Sequence, residues 1–323
     1  MVIVFWVGVG LWAYAYAGYP ALLALLPRRA VPQSPPHTDW PLLTITVPVH
    51  NEASVIADTL DALIAVDYPP DRRHILVVSD ASTDGTDAIV QRYAGQGVAL
   101  FRLPERRGKT AAENAARALL HGDIVINTDA SVRVDPAAIK ALVRALDDPT
   151  VGVASGRDVS VSRTTASGNA GESTYVGYEM LVRDLETRAG GIVGASGCLY
   201  AIRRALHALP VPEALSRDFS SALNARLHGF RAVSVPSALC YVPRGATLRQ
   251  EYRRKVRTMA RGLGTLWHRR ALLDPLRYGG FAWMLASHKL VRWLLPWASV
   301  AMVVALALLA YRVRLAQAAL AGV

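Results

Sequence analysis

Cysteine is almost missing from this sequence. Cys198 and Cys240 are the two present in 323 residues, and they stand at no metal-ligand spacing, which excludes a disulfide framework or a thiolate metal centre and fits a reducing compartment. Acidic residues are in deficit too. Twenty-five Asp and Glu face 36 Lys and Arg, for a formal net charge of +11, and lysine supplies only four of those cations. No nucleic-acid recognition motif accompanies the charge, so nucleic acid is not the expected partner. Charge of either sign is absent from residues 2–26 (VIVFWVGVGLWAYAYAGYPALLALL), a run long enough to cross the roughly 30 Å hydrocarbon layer of a bilayer. A cleaved signal peptide would carry a basic region ahead of its apolar run, and here the apolar run starts at once, which favours an uncleaved anchor.

What is present is apolar and arginine-rich. Hydrophobic residues make up 52% and the mean hydropathy is +0.23, above the usual level of a soluble domain. Arg28 and Arg29 follow the first apolar run, so the positive-inside rule puts the main domain in the cytoplasm. Residues 30–39 (AVPQSPPHTD) read as a linker. Apolar runs at 42–49, 74–80 and 123–130 read as buried strands, and the patterns at 53–66, 86–94 and 109–121 read as helices. Strand–helix alternation implies a doubly wound α/β sheet, whose ligands bind beyond the carboxyl ends of the strands. All three strand ends are polar: His50-Asn51-Glu52, Asp80 and Asp129.

The character changes after Tyr241. Between Arg244 and Arg277 ten basic and two acidic side chains stand in one belt, suited to anionic headgroups or phosphorylated substrates. Residues 247–270 carry Leu248, Tyr252, Val256, Met259, Leu263 and Leu266 at helical spacing, the pattern of a helix lying in a membrane interface. Residues 281–293 are mixed, and 294–311 form a second expected span, with a buried helix of a soluble protein as the alternative. The expected organisation is an anchor over 1–27, a linker over 28–40, an α/β domain over 41–245, a basic amphipathic interfacial region over 246–280 and a membrane segment over 281–323.

The strings VPVHNE (47–52), VVSDASTDGT (77–86), RRGKTAAENAA (106–116), INTDASVRVDP (126–136), GESTYVGYEM (171–180), GASGCLYAIRR (194–204), SRDF (216–219) and QEYRRKVRTMARG (250–262), in this order, resemble the family 2 glycosyltransferases of the GT-A fold, in particular the bacterial membrane-bound branch that builds exopolysaccharides or glycolipids. The resemblance implies a Rossmann-like mixed sheet with helices on both faces. It also implies a metal-dependent, inverting hexosyltransferase at the bacterial inner membrane, with a nucleotide-sugar donor, most readily a UDP-sugar, and a lipid-linked or glycan acceptor. The basic belt and apolar runs make membrane lipids a further expected partner, and the single C-terminal span, too little for a translocation channel, adds a second copy of the chain or a transporter.

Residue by residue, the resemblance gives Asp80 the N–H of a uracil ring, sets Pro48, His50 and Glu52 around the base, and gives Lys109 the diphosphate as a point charge. Asp84 reads instead as a turn and helix-cap residue. Asp129-Ala130-Ser131 stands where Asp-X-Asp is usual. Alternate side chains on an extended segment face one way, so Asp129 is the expected ligand of Mg2+ or Mn2+ and Ser131 a weak second contact. SRDF supplies Asp218 as the base for the acceptor hydroxyl, with Arg217 where an acidic residue is common. QEYRRKVRT resembles Gln-X-X-Arg-Trp without the Trp, and offers Gln250, Arg253, Arg254 and Arg257 to the diphosphate. Two other readings stay open: transfer to a polyprenyl phosphate, whose oxygen is already ionised, and a non-catalytic nucleotide-sugar-binding membrane protein, which Ser131 and Arg217 suggest.

Overall fold

Apolar side chains with no charge between them leave a helix free to bury or expose every face, and the first run is helical throughout. In the computed structural model, which describes residues 1–29, 39–161, 170–243 and 248–311 (without the side chains of 170–175, 248, 250 and 251), α1 (Val2–Ala13) passes through a π-helical turn at Tyr14–Gly18 into α2 (Tyr19–Leu25). By its contacts the chain divides into two units, Arg29–Arg270 and the pair Met1–Arg28 with Ala271–Val323.

The larger unit is built on eight strands: β1 (Leu43–Val49), β2 (Arg73–Ser79), β3 (Val98–Arg102), β4 (Ile124–Thr128), β5 (Arg133–Val134), β6 (Val151–Val161), β7 (Leu199–Arg203) and β8 (Arg231–Pro243). They form one sheet in the order β3-β2-β1-β4-β7-β6-β8-β5. β3, β2, β1 and β4 run parallel, β7 is antiparallel to both its neighbours, and β6 pairs parallel with β8. β1 reads Leu-Thr-Ile-Thr-Val-Pro-Val with six of seven positions buried, as a parallel strand covered on both faces requires. The helices of this unit are α3 (Ile56–Ile64), α4 (Thr86–Gln91), α5 (Lys109–Ala115), α6 (Ala138–Ala145), α7 (Ala170–Ala189), α8 (Arg204–His207) and α9 (Arg217–Leu227), which lie between strands, and α10 (Leu248–His268), which follows the last one. Two apolar cores result, one around Leu43, Ile45, Leu60 and Leu142 and the other around Leu76, Val125, Tyr200 and Ile202.

The expected strands lie where the apolar runs put them, β1 starting one residue later, β2 displaced by one residue and β4 trimmed at both ends to Ile124–Thr128, and the helices are shorter than their patterns. α3 begins only at Ile56 because the preceding turn is spent on hydrogen bonds at the end of β1. The pattern at 109–121 breaks into α5 and a 3-10 turn at Ala116–Leu119.

In the smaller unit α11 (Pro275–Tyr278) precedes α12 (Gly280–Leu285), a π-helical stretch at Ala286–Val291 and α13 (Arg292–Ala310). The mixed stretch 281–293 is therefore not a separate element: Gly280–Ala310 is a single helix of 31 residues. Its polar members fold inward, with Ser287 and His288 each 2% exposed. Tyr14 Oη lies 2.7 Å from Ser287 Oγ, Trp283 Nε1 donates to Tyr14 Oη at 2.9 Å, and Trp12 Nε1 donates to Ser299 Oγ at 3.0 Å. Gly8 lets the two helices approach: a Cβ there would fall 2.3 Å from the Met302 side chain. Both Val2–Leu25 and Gly280–Ala310 are long and apolar enough to cross a membrane, and they expose Ile3, Trp6, Trp297 and Val300.

Candidate active site

The chain order runs outward from β1 to β2 and β3 and then returns to β4 on the other flank of β1, so the sheet has its switch point between β1 and β4, where such sheets bind ligands. A cleft of about 390 Å³ opens there, lined by Pro48, His50, Glu52, Asp80, Arg106, Lys109, Asp129, Ser131, Arg257 and Arg261 together with Val49, Gly108 and Ala130. Eight of the residues expected from the sequence thus share one cavity: Pro48, His50, Glu52, Asp80, Lys109, Asp129, Ser131 and Arg257.

Two strand ends carry backbone that side chains rarely adopt. Asn51 and Ala81, each just past its strand, have φ of 57° and 55°, a conformation that costs a non-glycine residue energy and gathers at functional sites. Hydrogen bonds hold them. Asn51 N–H donates to Ser82 Oγ and Asn51 Oδ1 accepts the Thr83 N–H at 2.8 Å. Asp84 completes the turn by accepting from Ala53 N–H and Thr86 N–H, both at 3.0 Å, and from the Thr86 hydroxyl at 2.5 Å. These bonds, the Thr86 hydroxyl first, pull its pKa below the ordinary value. His50 Nδ1 lies 2.8 Å from the Asp80 carbonyl oxygen; that oxygen only accepts, so the proton sits on Nδ1.

Asp80 is nearly buried and each carboxylate oxygen accepts a backbone N–H at 2.7 Å, one from Arg107 and one from Gly108. The residue pins the loop that carries Arg106 and Lys109 over the strand ends, in addition to facing the cleft. Gly108 takes φ +94°, which the pinned loop demands and a β-carbon would resist. Lys109 Nζ then reaches Asp129 Oδ1 at 2.5 Å and the Gly197 carbonyl at 3.4 Å. Its surroundings would by themselves lower the ammonium pKa, but the charges of Asp129 and Glu113 outweigh this and the net shift is upward. Glu52 moves the same way for other reasons: burial first, then Asp129 and Asp84, with His50 opposing.

Asp218 stands in the first turn of α9 with Ser216 as the residue before the helix, and the Ser216 hydroxyl donates to its Oδ1. A Cβ at Gly197 would come 3.1 Å from Asp218 Oδ2, so the second glycine of GASG (194–197) makes room for this carboxylate beside the Gly197 carbonyl that Lys109 touches. Arg217 does not face the cleft. Its guanidinium is buried, with Nε 3.3 Å from Glu113 Oε2 and a terminal nitrogen donating to Asn114 Oδ1 at 3.3 Å. α10 supports the same corner, for Ser216 N–H donates to Thr265 Oγ1 at 3.0 Å.

On α10 the arrangement differs from expectation. Arg257 lines the cleft, and so does Arg261, one turn later, which the sequence reading passed over. Arg253 and Arg254 are exposed on α10 and are not among the lining residues. The side chain of Gln250 lies outside the described residues. Arg106, Arg261 and Glu113 are the additions. The i, i+4 spacing of Arg257 with Arg261 and of Lys109 with Glu113 was the available signal, since residues four apart share a helix face.

Among the described residues no group of three or more His, Cys, Asp or Glu is arranged to enclose a metal. One carboxylate, Asp129, beside the Ser131 hydroxyl is a donor set that fits a hard divalent ion taking its other ligands from substrate phosphates and water.

Acidic strand ends, a pinned basic loop and a carboxylate at a helix start thus meet at the switch point of an open α/β sheet, where such sheets bind ligands. The chain belongs to glycosyl transferase family 2, whose domain matches residues 44–208, half of the sequence. It is similar to the beta-monoglucosyldiacylglycerol synthase of Synechocystis, 26% identical over 242 residues, covering 70% of this chain and 50% of that one. The dodecaprenyl-phosphate galacturonate synthase of Rhizobium johnstonii is 31% identical over 110 residues, covering 32% of each. Among solved structures the mannosyltransferase PcManGT of Pyrobaculum calidifontis, in complex with GDP-Man and Mn2+, superposes with a TM-score of 0.78 at 27% identity, covering 99% of this chain and 90% of that one. The chain spans about half or less of the length of the curated relatives it matches. The sheet is a mixed α/β sheet of the GT-A kind.

Proposed function

We propose that this chain is a membrane-anchored, inverting glycosyltransferase that moves a sugar from a nucleoside-diphosphate sugar to a lipid-linked or polysaccharide acceptor at the cytoplasmic face. The observation that carries the reading is the single cleft in which Asp80, Lys109 and Asp129, from three strand ends and their loops, meet two arginines of α10. Pro48, His50, Glu52 and Asp80 hold the base. Lys109, Arg106, Arg257 and Arg261 bring positive charge to the diphosphate, where point charges and forked guanidiniums both suit phosphate oxygens. Asp129 would hold Mg2+ or Mn2+, which supplies positive charge to the departing diphosphate. Asp218 takes the proton of the acceptor hydroxyl as that oxygen attacks the anomeric carbon from the face opposite the diphosphate.

The family resemblance favours a UDP-sugar, and the GDP-Man held by the Pyrobaculum neighbour makes guanosine the second base to test. A lipid acceptor fits the two apolar helices and the product named for the Synechocystis relative; the Rhizobium relative favours a polyprenyl phosphate as the alternative. The purified chain in detergent is to be screened with UDP- and GDP-sugars and Mn2+ or Mg2+, following released nucleotide. Turnover of one donor supports the assignment. Tight nucleotide binding without turnover of any donor, in the presence of lipid and polyprenyl-phosphate acceptors, would overturn it in favour of a binding protein.

A further inference from the structure

Glu113 is an expensive residue to place where it stands. It is 2% exposed, and neither carboxylate oxygen has a hydrogen-bond donor in bonding geometry among the described residues. Burial raises its pKa, and the charges of Lys109 and Arg217 oppose that shift. Arg217, itself 4% exposed, faces it from α9. A buried ion pair of this kind is a poor source of stability, because desolvating two charges offsets their attraction, and well-packed apolar residues usually do as well. What it does supply is a fixed relation between two elements. Arg217 is the residue next to Asp218, and Glu113 lies one turn along α5 from Lys109. Charges therefore alternate from Arg217 through Glu113 and Lys109 to Asp129, with an ion pair at each end and electrostatic attraction between Glu113 and Lys109 in the middle.

We infer that Glu113 and Arg217 are positioning residues: a buried strut that fixes the start of α9 so that the Asp218 carboxylate meets the acceptor hydroxyl in line with the donor held by Lys109 and Asp129. The inference rests on the assignment of Asp218 as base. Neither strut residue touches substrate. Its work is orientation, and a displacement of about 1 Å at a reacting group can cost roughly 100-fold in rate.

The test replaces both members together, E113L/R217M, in the full chain in detergent, using whichever UDP- or GDP-sugar the wild type turns over. The double variant is expected to melt at or above the wild-type temperature, to bind UDP or GDP unchanged by calorimetry, and to lose roughly 100-fold in kcat at unchanged donor KM. Should its fold be lost, R217K is the second arm: it keeps the charge, loses the planar fork, and is expected to lower kcat with KM held. D218N, run alongside, separates the two assignments. If D218N is inactive while the folded double variant, or R217K in its place, keeps wild-type kcat, the strut is wrong and the base stands. If D218N is as active as the wild type, both fall.

Discussion

The two halves of the cleft are built on different plans. On the parallel side, β1, β2 and β4 each end in polar residues, and the strand direction alone brings Pro48, His50, Asp80 and Asp129 to one edge. On the antiparallel side, Asp218 comes from a helix start, and its place depends on Ser216, Gly197, Thr265 and the hidden Glu113–Arg217 pair. One half is positioned by topology, the other by side-chain packing. The first plan tolerates change at any one residue better, because the sheet holds its neighbours in place. The second fails when any support is altered, without loss of the binding pocket.

That contrast can be broken most directly at Asp218. D218N is expected to lower transfer to a hydroxyl acceptor by ~10²–10⁴-fold, the usual weight of a general base, with nucleotide affinity unchanged by calorimetry; parallel loss of nucleotide binding would mean the two halves are not separable. Next in size, K109M removes the charge that bridges Asp129 and the Gly197 carbonyl, and nucleotide affinity should fall roughly 10- to 100-fold, as for loss of a charge-assisted contact, with kcat affected less than KM. Gly197→Ala places a methyl against Asp218 Oδ2 and should lower kcat a few-fold while leaving KM alone, a test of the packed half by a single carbon.

The smallest effect sharpens the topological half. Glu52 has a pKa above its ordinary 4.5, through burial first and then Asp129 and Asp84. The folded protein therefore binds this proton more tightly than the unfolded chain does. The associated stability is full below 4.5 and is lost as pH rises through the folded value. Glu52→Gln removes that loss, so the variant's gain in melting temperature over the wild type should be near zero at pH 4 and positive at pH 7. An equal gain at both pH values would mean that the Glu52 carboxyl is not what is strained.

The same division governs how much could be read in advance. The runs at 42–49, 74–80 and 123–130 announce β1, β2 and β4, and their polar ends announce the cleft, because strand direction and burial are local properties of sequence. Asp218 was readable only through the SRDF resemblance. Its neighbour Arg217 reads locally as a charge beside a carboxylate, and nothing local shows that its guanidinium turns inward to meet Glu113, 104 positions earlier. Asn51 and Ala81 were invisible as left-handed residues because no glycine marks them. Arg261 was legible by its spacing from Arg257. The strands β5 to β8 carry no end motif, so only their pairing reveals them, and the helix Gly280–Ala310 hides its polar stretch by folding Ser287 and His288 against Tyr14 and Tyr19.

That last pairing sets an order of events in synthesis. The two apolar helices that Gly8, Trp12 and Tyr14 join are separated by roughly 250 residues, which a ribosome takes about 12–50 s to add at ~5–20 residues per second. The last strand of the sheet, β8, ends at Pro243, so every strand has been made before the second helix begins at Gly280. The helical pair is therefore the last of the described elements to close, and a fault at Met302 or Ser299 should leave the sheet formed and the two helices unpaired.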